Sequence, residues 1–387
     1  MTSRLVVVGA GPMGLAAAVA ALDAGFDVTV LERGTPGEAL RTWGPTKFFS
    51  PLRMNISPRM QEILGSQLPD PDSLLSGPEM ADRVLVPLAE RDPLKGRIRA
   101  GHRAIAIGRR GLSRTDLPRH PLRAERPFRI LVESGGNEET IEAEVVLDAS
   151  GGQTIPTALG TGSIPAVGEQ TAGPGIIRFL GDLNARREEL RGKRILLLGH
   201  GHSAANAIVV LDGIAREDPS TRLTWAVRTM NNEPLVAVAN DPLPERQRIV
   251  DIANAIAVNP PPFLRVERRA EVETLVHNNG QIEVGFSRER RASYDFVVAM
   301  TGYRPDASLT SELPLDISPI SEGTAGLYQA ICNVTDCLSV PSVRREDLFS
   351  GEPGFYFVGS RSYGRSRNFL LQTGLAQLET IMEGLRP

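Results

Sequence analysis

Short, almost wholly apolar runs alternate along the chain with longer segments of helical period. Arg4–Val8 (RLVVV), Asp27–Leu31, Val145–Gly151 (VVLDASG), Arg194–Leu198 (RILLL), a run inside Thr221–Arg228, Tyr294–Met300 (YDFVVAM) and Phe355–Val358 (FYFV) are the apolar runs. Runs this short and continuous predict strands buried on both faces, the habit of parallel sheets. Leu15–Ala24 closed by Gly25, the segment after Gly201, Glu79–Glu90, Glu245–Ala257 and Phe369–Met382 read as helices. Two hairpins are expected: Phe128–Ser134 with Thr140–Ala143 around Gly135-Gly136-Asn137, and Glu271–Gly285 around Asn278-Asn279-Gly280. Ile98–Ile107 reads as a strand broken at Gly101–Arg103. Strand and helix in alternation predict an α/β fold with three layers, helix, parallel sheet and helix.

Two strand-to-helix junctions carry more than pattern. After Arg4–Val8 come Gly9, Gly11 and Gly14, and the following strand ends at Glu32. In such a turn the first glycine allows the tight reversal. The second lets a pyrophosphate approach the backbone, and the third lets the helix sit close on the strand. Free N–H groups at the helix start suit the pyrophosphate, and an acid at the next strand tip suits a ribose. Pro12 and Met13 in the turn, and Arg33, Arg41 and Trp43 after the acid, complete this candidate site. Trp43, Phe48 and Phe49 read equally well as a cofactor wall or as ordinary core. After Arg194–Leu198, Gly199-His200-Gly201-His202-Ser203-Ala204 repeats the pattern with alanine for the third glycine. The tip of its next strand carries Arg228 where the first site has an acid. Arginine there favours a 2′-phosphate, hence NADPH over NADH.

Composition narrows the class. The chain has 387 residues, enough for two domains, and 41% are hydrophobic. Its 43 basic and 46 acidic residues nearly cancel, so no global field draws it to nucleic acid or an anionic membrane. No apolar run is long enough to span a bilayer, and the first strand leaves no room for a signal peptide. Two cysteines make no disulfide scaffold, and a cytoplasmic location is expected. Gly152–Pro174, rich in Gly, Pro and Thr, reads as a crossing between domains.

Other candidate chemistry is sparser. Gly108–Pro127 holds Arg109, Arg110, Arg114, Arg119, Arg123 and Arg126. A solvated loop is favoured there over a lid for an anion. His200 and His202 have no third or fourth ligand near them in sequence, so no metal site is expected. Cys332 and Cys337 have the spacing of a redox or metalloid pair, but two unrelated thiols are the favoured reading, because no local base activates either.

The two glycine turns, Thr301-Gly302-Tyr303-Arg304-Pro305-Asp306 and the closing strand–Gly359–loop–helix form an ordered set. In this the chain resembles the flavoproteins with two dinucleotide-binding domains, both thioredoxin reductase-like enzymes and flavin-dependent monooxygenases. The resemblance implies Rossmann-like domains, with an FAD domain (1–156 and 301–387) split by an inserted NAD(P)H domain (157–300). It implies FAD on Gly9, Gly11, Gly14, Glu32, Ser150, Gly151, Gly359, Ser360, Phe369 and Leu370. It implies NADPH on Gly199, Gly201, His202, Ser203, Ala204 and Arg228. The departures bear on the reaction. The reductases carry a cysteine pair near one glycine turn, where this chain has Met13 and His202. The monooxygenase motif F-x-G-x-x-x-H has only Phe179-Leu180-Gly181 here, and Ser360 replaces the aspartate that usually follows Gly359. The leading expectation is monooxygenation of a small nitrogen- or sulfur-containing substrate. The alternatives are a reductase of a disulfide, quinone, metal or metalloid using Cys332 and Cys337, and a non-catalytic redox sensor. A homodimer is compatible with all three.

Overall fold

A computed structural model describes residues 2–152 and 155–385. The chain divides into two α/β units. The first comprises residues 1–40, 51–155 and 303–387, and the second 41–50 and 156–302. The segment 41–50 therefore lies in the second unit, whereas the sequence placed it with the FAD domain. The physical reason is local packing. Gly181 N–H donates to Thr42 O at 3.0 Å, and Phe49 packs on the second unit's core.

The first unit is built on a five-stranded parallel sheet in the order Phe355–Phe357, Val145–Asp148, Arg4–Val8, Asp27–Glu32, Ile98–Ala100. Leu5, Val7, Val28 and Val30 are buried, as the apolar runs demand. Helices Pro12–Asp23 and Leu371–Glu383 belong to this unit. An antiparallel sheet of Arg103–Arg109, Phe128–Ser134 and Asn137–Ala143 shares a core with it through Ile107, Phe128, Ile130, Val146 and Phe355. The broken strand Ile98–Ile107 thus splits between two sheets at its break. The helix expected at Glu79–Glu90 runs as Gly77–Met80, a π turn Ala81–Leu85, and Val86–Ala89. Pro87 has no N–H to donate, and the wide turn absorbs that gap.

The second unit repeats the plan. Its parallel sheet runs Leu264–Arg268, Arg222–Val227, Arg194–Leu198, Phe296–Ala299, Ile176–Ile177. Helices His202–Glu217 and Pro244–Val258 bury Ala205, Ile208, Leu211, Ile249 and Ala253 in one core. The antiparallel strands Val272–Asn278, Gln281–Phe286 and Arg290–Tyr294 share another with Leu196, Ala226 and Val297. Within the Gly/Pro-rich crossing, residues 159–169 are arranged around a buried acid. Glu169 accepts from Leu159 N–H and Ala166 N–H, both at 2.9 Å, and pairs with Arg178 at 2.8 Å.

The basic segment departs from its expectation. Arg109 and Arg123 are fully buried on either side of Glu352, with Nε–Oε distances of 2.6 and 2.8 Å. Glu352 is far away in sequence, so nothing local announced that two of these arginines would be internal.

Candidate dinucleotide sites

In the first unit the turn after Arg4–Val8 is set by Gly9, whose φ of 99° suits glycine. A Cβ on Gly14 would strike Gly9 O, so the helix lies hard against the turn, whereas a Cβ on Gly11 would meet nothing within 4 Å. Gly11 caps the helix without a side-chain acceptor, and Pro12 takes the first position, where no N–H is needed. The result is an open helix start able to hold an anion. Glu32 accepts from Ala10 N–H at 2.7 Å and from Gly34 N–H at 2.9 Å, which fixes the carboxylate beside the turn. Arg33 is exposed next to it.

Distant segments complete this edge of the sheet. Val358 N–H donates to Asp148 O at 2.8 Å, which brings Ser150 and Gly151 alongside Gly359 and Ser360. The Ser360 hydroxyl accepts from Gly152 N–H at 3.1 Å. Met13 is buried, and its side chain fills the space between Gly359 and Gly374, against Phe369. Its part in any nucleotide site is therefore confined to its backbone. Leu370 starts the helix Leu371–Glu383 with no side-chain cap. Behind the turn, Arg361 is buried with its guanidinium 4.0 Å from the Phe357 ring and Nε 3.6 Å from Asp148. Burial pulls this guanidinium below its usual range, against the opposing pull of Asp148.

In the second unit Gly199 has φ 122°, and a Cβ there would collide with Met300 O. Trp225, fully buried on the next strand, donates its indole N–H to Gly199 O at 2.8 Å and pins the turn. Gly201 is open, caps His202–Glu217 without a side-chain acceptor, and is followed by His202, Ser203 and the buried Ala204. The His202 ring lies edge-on to Phe49, with centroids 5.2 Å apart. Nearby, Asp241 pairs with Arg246 at 2.6 Å. Burial works to raise the Asp241 carboxyl, but Arg246 and the Leu243 N–H bring it below the usual range. Arg228 is exposed at the strand tip. Arg41 and Trp43 lie in this unit, with Trp43 tilted on Phe48 at 4.9 Å. Cys332 is exposed at the end of helix Ala325–Ile331, and Cys337 is half-buried at the start of the next turn.

Residues 6–65 match a family described as pyridine nucleotide-disulphide oxidoreductase. No curated protein sequence matches the chain. Among solved structures, bacillithiol disulfide reductase from Bacillus cereus is similar at 15% identity, covering 99% of this chain and 98% of that one, with a TM-score of 0.67. Kutzneria sp. 744 ornithine N-hydroxylase, solved with reduced FAD, NADP+ and L-ornithine, is similar at 16% identity, covering 99% and 97%, with a TM-score of 0.63. Thioredoxin reductase of T. acidophilum is similar at 18% identity, covering 98% and 97%, with a TM-score of 0.57. The fold is that of the flavoproteins with two dinucleotide-binding domains. This two-domain fold is shared by enzymes of different reaction, so it does not choose among them. Among the described residues no helix is long and apolar enough to cross a membrane.

Sequence reading missed Trp225, Glu169 and the partners of the basic segment. A tryptophan among the apolar positions of a mostly buried strand was a usable signal, because its indole N–H requires an acceptor.

Proposed function

We propose that the chain is an FAD-dependent oxidoreductase reduced by NADPH. One observation carries the reading. Each parallel sheet ends in a positive-φ glycine, an uncapped helix start open to space, and a second strand with a charged tip, acidic in one unit and basic in the other. An acid suits the bare ribose of FAD, and an arginine the phosphorylated ribose of NADPH.

The residues fit these groups. Gly11 and the N–H groups of Met13 and Gly14 hold the FAD pyrophosphate. Glu32 keeps free lone pairs for ribose hydroxyls after accepting its two backbone bonds. The Ser360 hydroxyl accepts from Gly152 and keeps its proton for donation, in the place of the usual aspartate. The open start of Leu371–Glu383 favours negative charge nearby. When bound, FAD supplies two-electron chemistry between the nicotinamide and an acceptor. The chain's own part is binding, orientation and the exclusion of water.

Oxygenation of a small nitrogen- or sulfur-containing substrate is the reaction we favour, because neither glycine turn offers a thiol and Met13 is sealed in packing. The exposed Cys332, five residues from Cys337, favours the second reading, NADPH-driven reduction of a disulfide, quinone, metal or metalloid. The test is spectroscopic. NADPH should bleach the yellow flavin of the purified protein, and air should restore it with oxygen uptake stimulated by an amine or thioether. Failure of NADPH and NADH to bleach it removes the enzyme reading. Oxygen-independent reduction of an added disulfide, lost in Cys332→Ser and Cys337→Ser, selects the reductase.

A further inference from the structure

The carboxyl edge of the second unit's sheet holds another guanidinium beside Arg228, on a strand that carries no glycine turn. Leu264–Arg268 runs parallel to Arg222–Val227 and pairs Arg268 with Val227. Beyond that pair Ala270 N–H donates to Val227 O at 3.0 Å, and Arg269 N–H to Thr229 O at 3.4 Å. The backbones of Arg228 and Arg269 therefore lie side by side, at the edge where parallel sheets take ligands. Both residues are exposed, and neither side chain has a hydrogen bond or ion pair among the described residues.

Two features set Arg269 apart from the other arginines of this region. Its φ is 53°, a left-handed conformation uncommon for residues with a long side chain. Its neighbour Arg268 behaves oppositely. Arg268 Nε donates to Asn231 O at 3.1 Å and Nη2 to Asn232 O at 2.9 Å, so it is consumed in holding the loop after Arg228. A strained backbone and two adjacent cations with no counter-ion give the folded chain nothing by themselves. Such arrangements persist where a ligand completes them. A phosphate dianion with three acceptor oxygens does so.

We propose that Arg269 and Arg228 together clamp the 2′-phosphate of NADPH, and that Arg269 is a specificity-determining residue for that cofactor. The inference rests on the NADPH reading above. It goes beyond that reading in predicting that selectivity is shared between two strands. It also predicts that the left-handed backbone at residue 269 directs the second guanidinium toward the first.

Calorimetric titration of the purified full chain with 2′,5′-ADP and with 5′-AMP tests it without any redox step. The wild type should prefer 2′,5′-ADP. Arg269→Gly should weaken 2′,5′-ADP about tenfold and leave 5′-AMP within about twofold, because one charge-assisted contact to the phosphate is lost. The same variant should keep its Tm at or above the wild-type value, since glycine accepts the left-handed backbone without strain. Arg269→Lys should retain part of the preference. If Arg269→Gly keeps the full preference while Arg228→Ala loses it, the role of Arg269 is overturned and the NADPH reading stands. If the wild type binds both nucleotides equally, both fall.

Discussion

Replacing Glu352 by glutamine keeps the shape of a side chain that holds two internal cations and removes its charge. Arg109, Arg123 and Glu352 have side-chain exposures of 1%, 0% and 0%, so water screens none of them. Arg109 also lies over the Phe128 ring at 3.5 Å and donates to Arg126 O at 2.6 Å, and Arg123 donates to Ser113 O at 3.3 Å. Neither guanidinium can swing out to solvent without breaking these bonds. Burial already pulls Arg109 below its usual range, with the hydrogen bond to Glu352 opposing that pull. Removing one partner of a buried ion pair costs about 3–5 kcal/mol. Glutamine should fall toward the lower figure, because its carbonyl still accepts from one guanidinium. For a domain of this size each kcal/mol moves Tm by about 2–4 °C, so a fall of about 6–20 °C is expected. The assay is thermal unfolding at pH 7, beside Glu144→Gln as a control. Glu144 pairs with Arg4 at 2.7 Å, but both are more than 40% exposed, and its loss should cost less than about 1 kcal/mol. Equal Tm values for the two variants would refute the reasoning. Apolar replacement of all three buried residues should recover much of the loss, as removal of whole buried ionic groups often does.

Tyr363 is buried, accepts from Gln377 Nε2–H at 2.7 Å, and has its hydroxyl pushed up to about 12, chiefly by burial and against the Gln377 hydrogen bond. The unfolded tyrosine ionises near pH 10 and the folded one later, so stability falls between pH 10 and 12. The loss should reach about 2–3 kcal/mol and should be absent in Tyr363→Phe, measured by urea unfolding across that range. Gly199→Ala should unfold the second unit, because its Cβ collides with Met300 O at a positive φ, whereas Gly201→Ala should fold normally and bind NADPH less tightly. Parallel thermal melts and titrations check the pair, and a stable Gly199→Ala would contradict the packing described. Trp225→Phe removes the bond to Gly199 O and should cost about 1 kcal/mol while raising the NADPH Kd several-fold with FAD content unchanged. An unaltered Kd would mean that the turn needs no such support.

Local signals carried most of the two glycine turns. Gly9, Gly11, Gly14 and Glu32 fall where strand, turn and helix periods require them, and so do Gly199, Gly201 and Arg228. What the sequence hid was long-range. The pairing of Arg109 and Arg123 with Glu352 spans 243 and 229 residues. Charge counted along the chain cannot separate a solvated arginine from one facing a distant acid. Met13 shows a related limit. Its place in the turn implied a ligand contact, and its side chain fills the space left by Gly359 and Gly374, so only its backbone N–H is left to make one. Residues 41–50 show another, since their docking surface on Gly181 lies far along the chain.

The split sheet of the first unit has a consequence for synthesis. During translation Val145–Asp148 can pair with Arg4–Val8, but its other edge waits for Phe355–Phe357, and the bond between Gly152 and Ser360 spans 208 residues. All strands of the second unit's sheets have emerged by Ala299. The inserted unit therefore matures first, while an apolar strand edge stays open on the unit that began earlier. Such an edge invites pairing with other nascent chains. A nascent chain that has cleared the ribosome as far as residue 310 should carry a protease-resistant second unit and a protease-sensitive first one. Chaperone demand during expression should track the interval before Phe355 emerges.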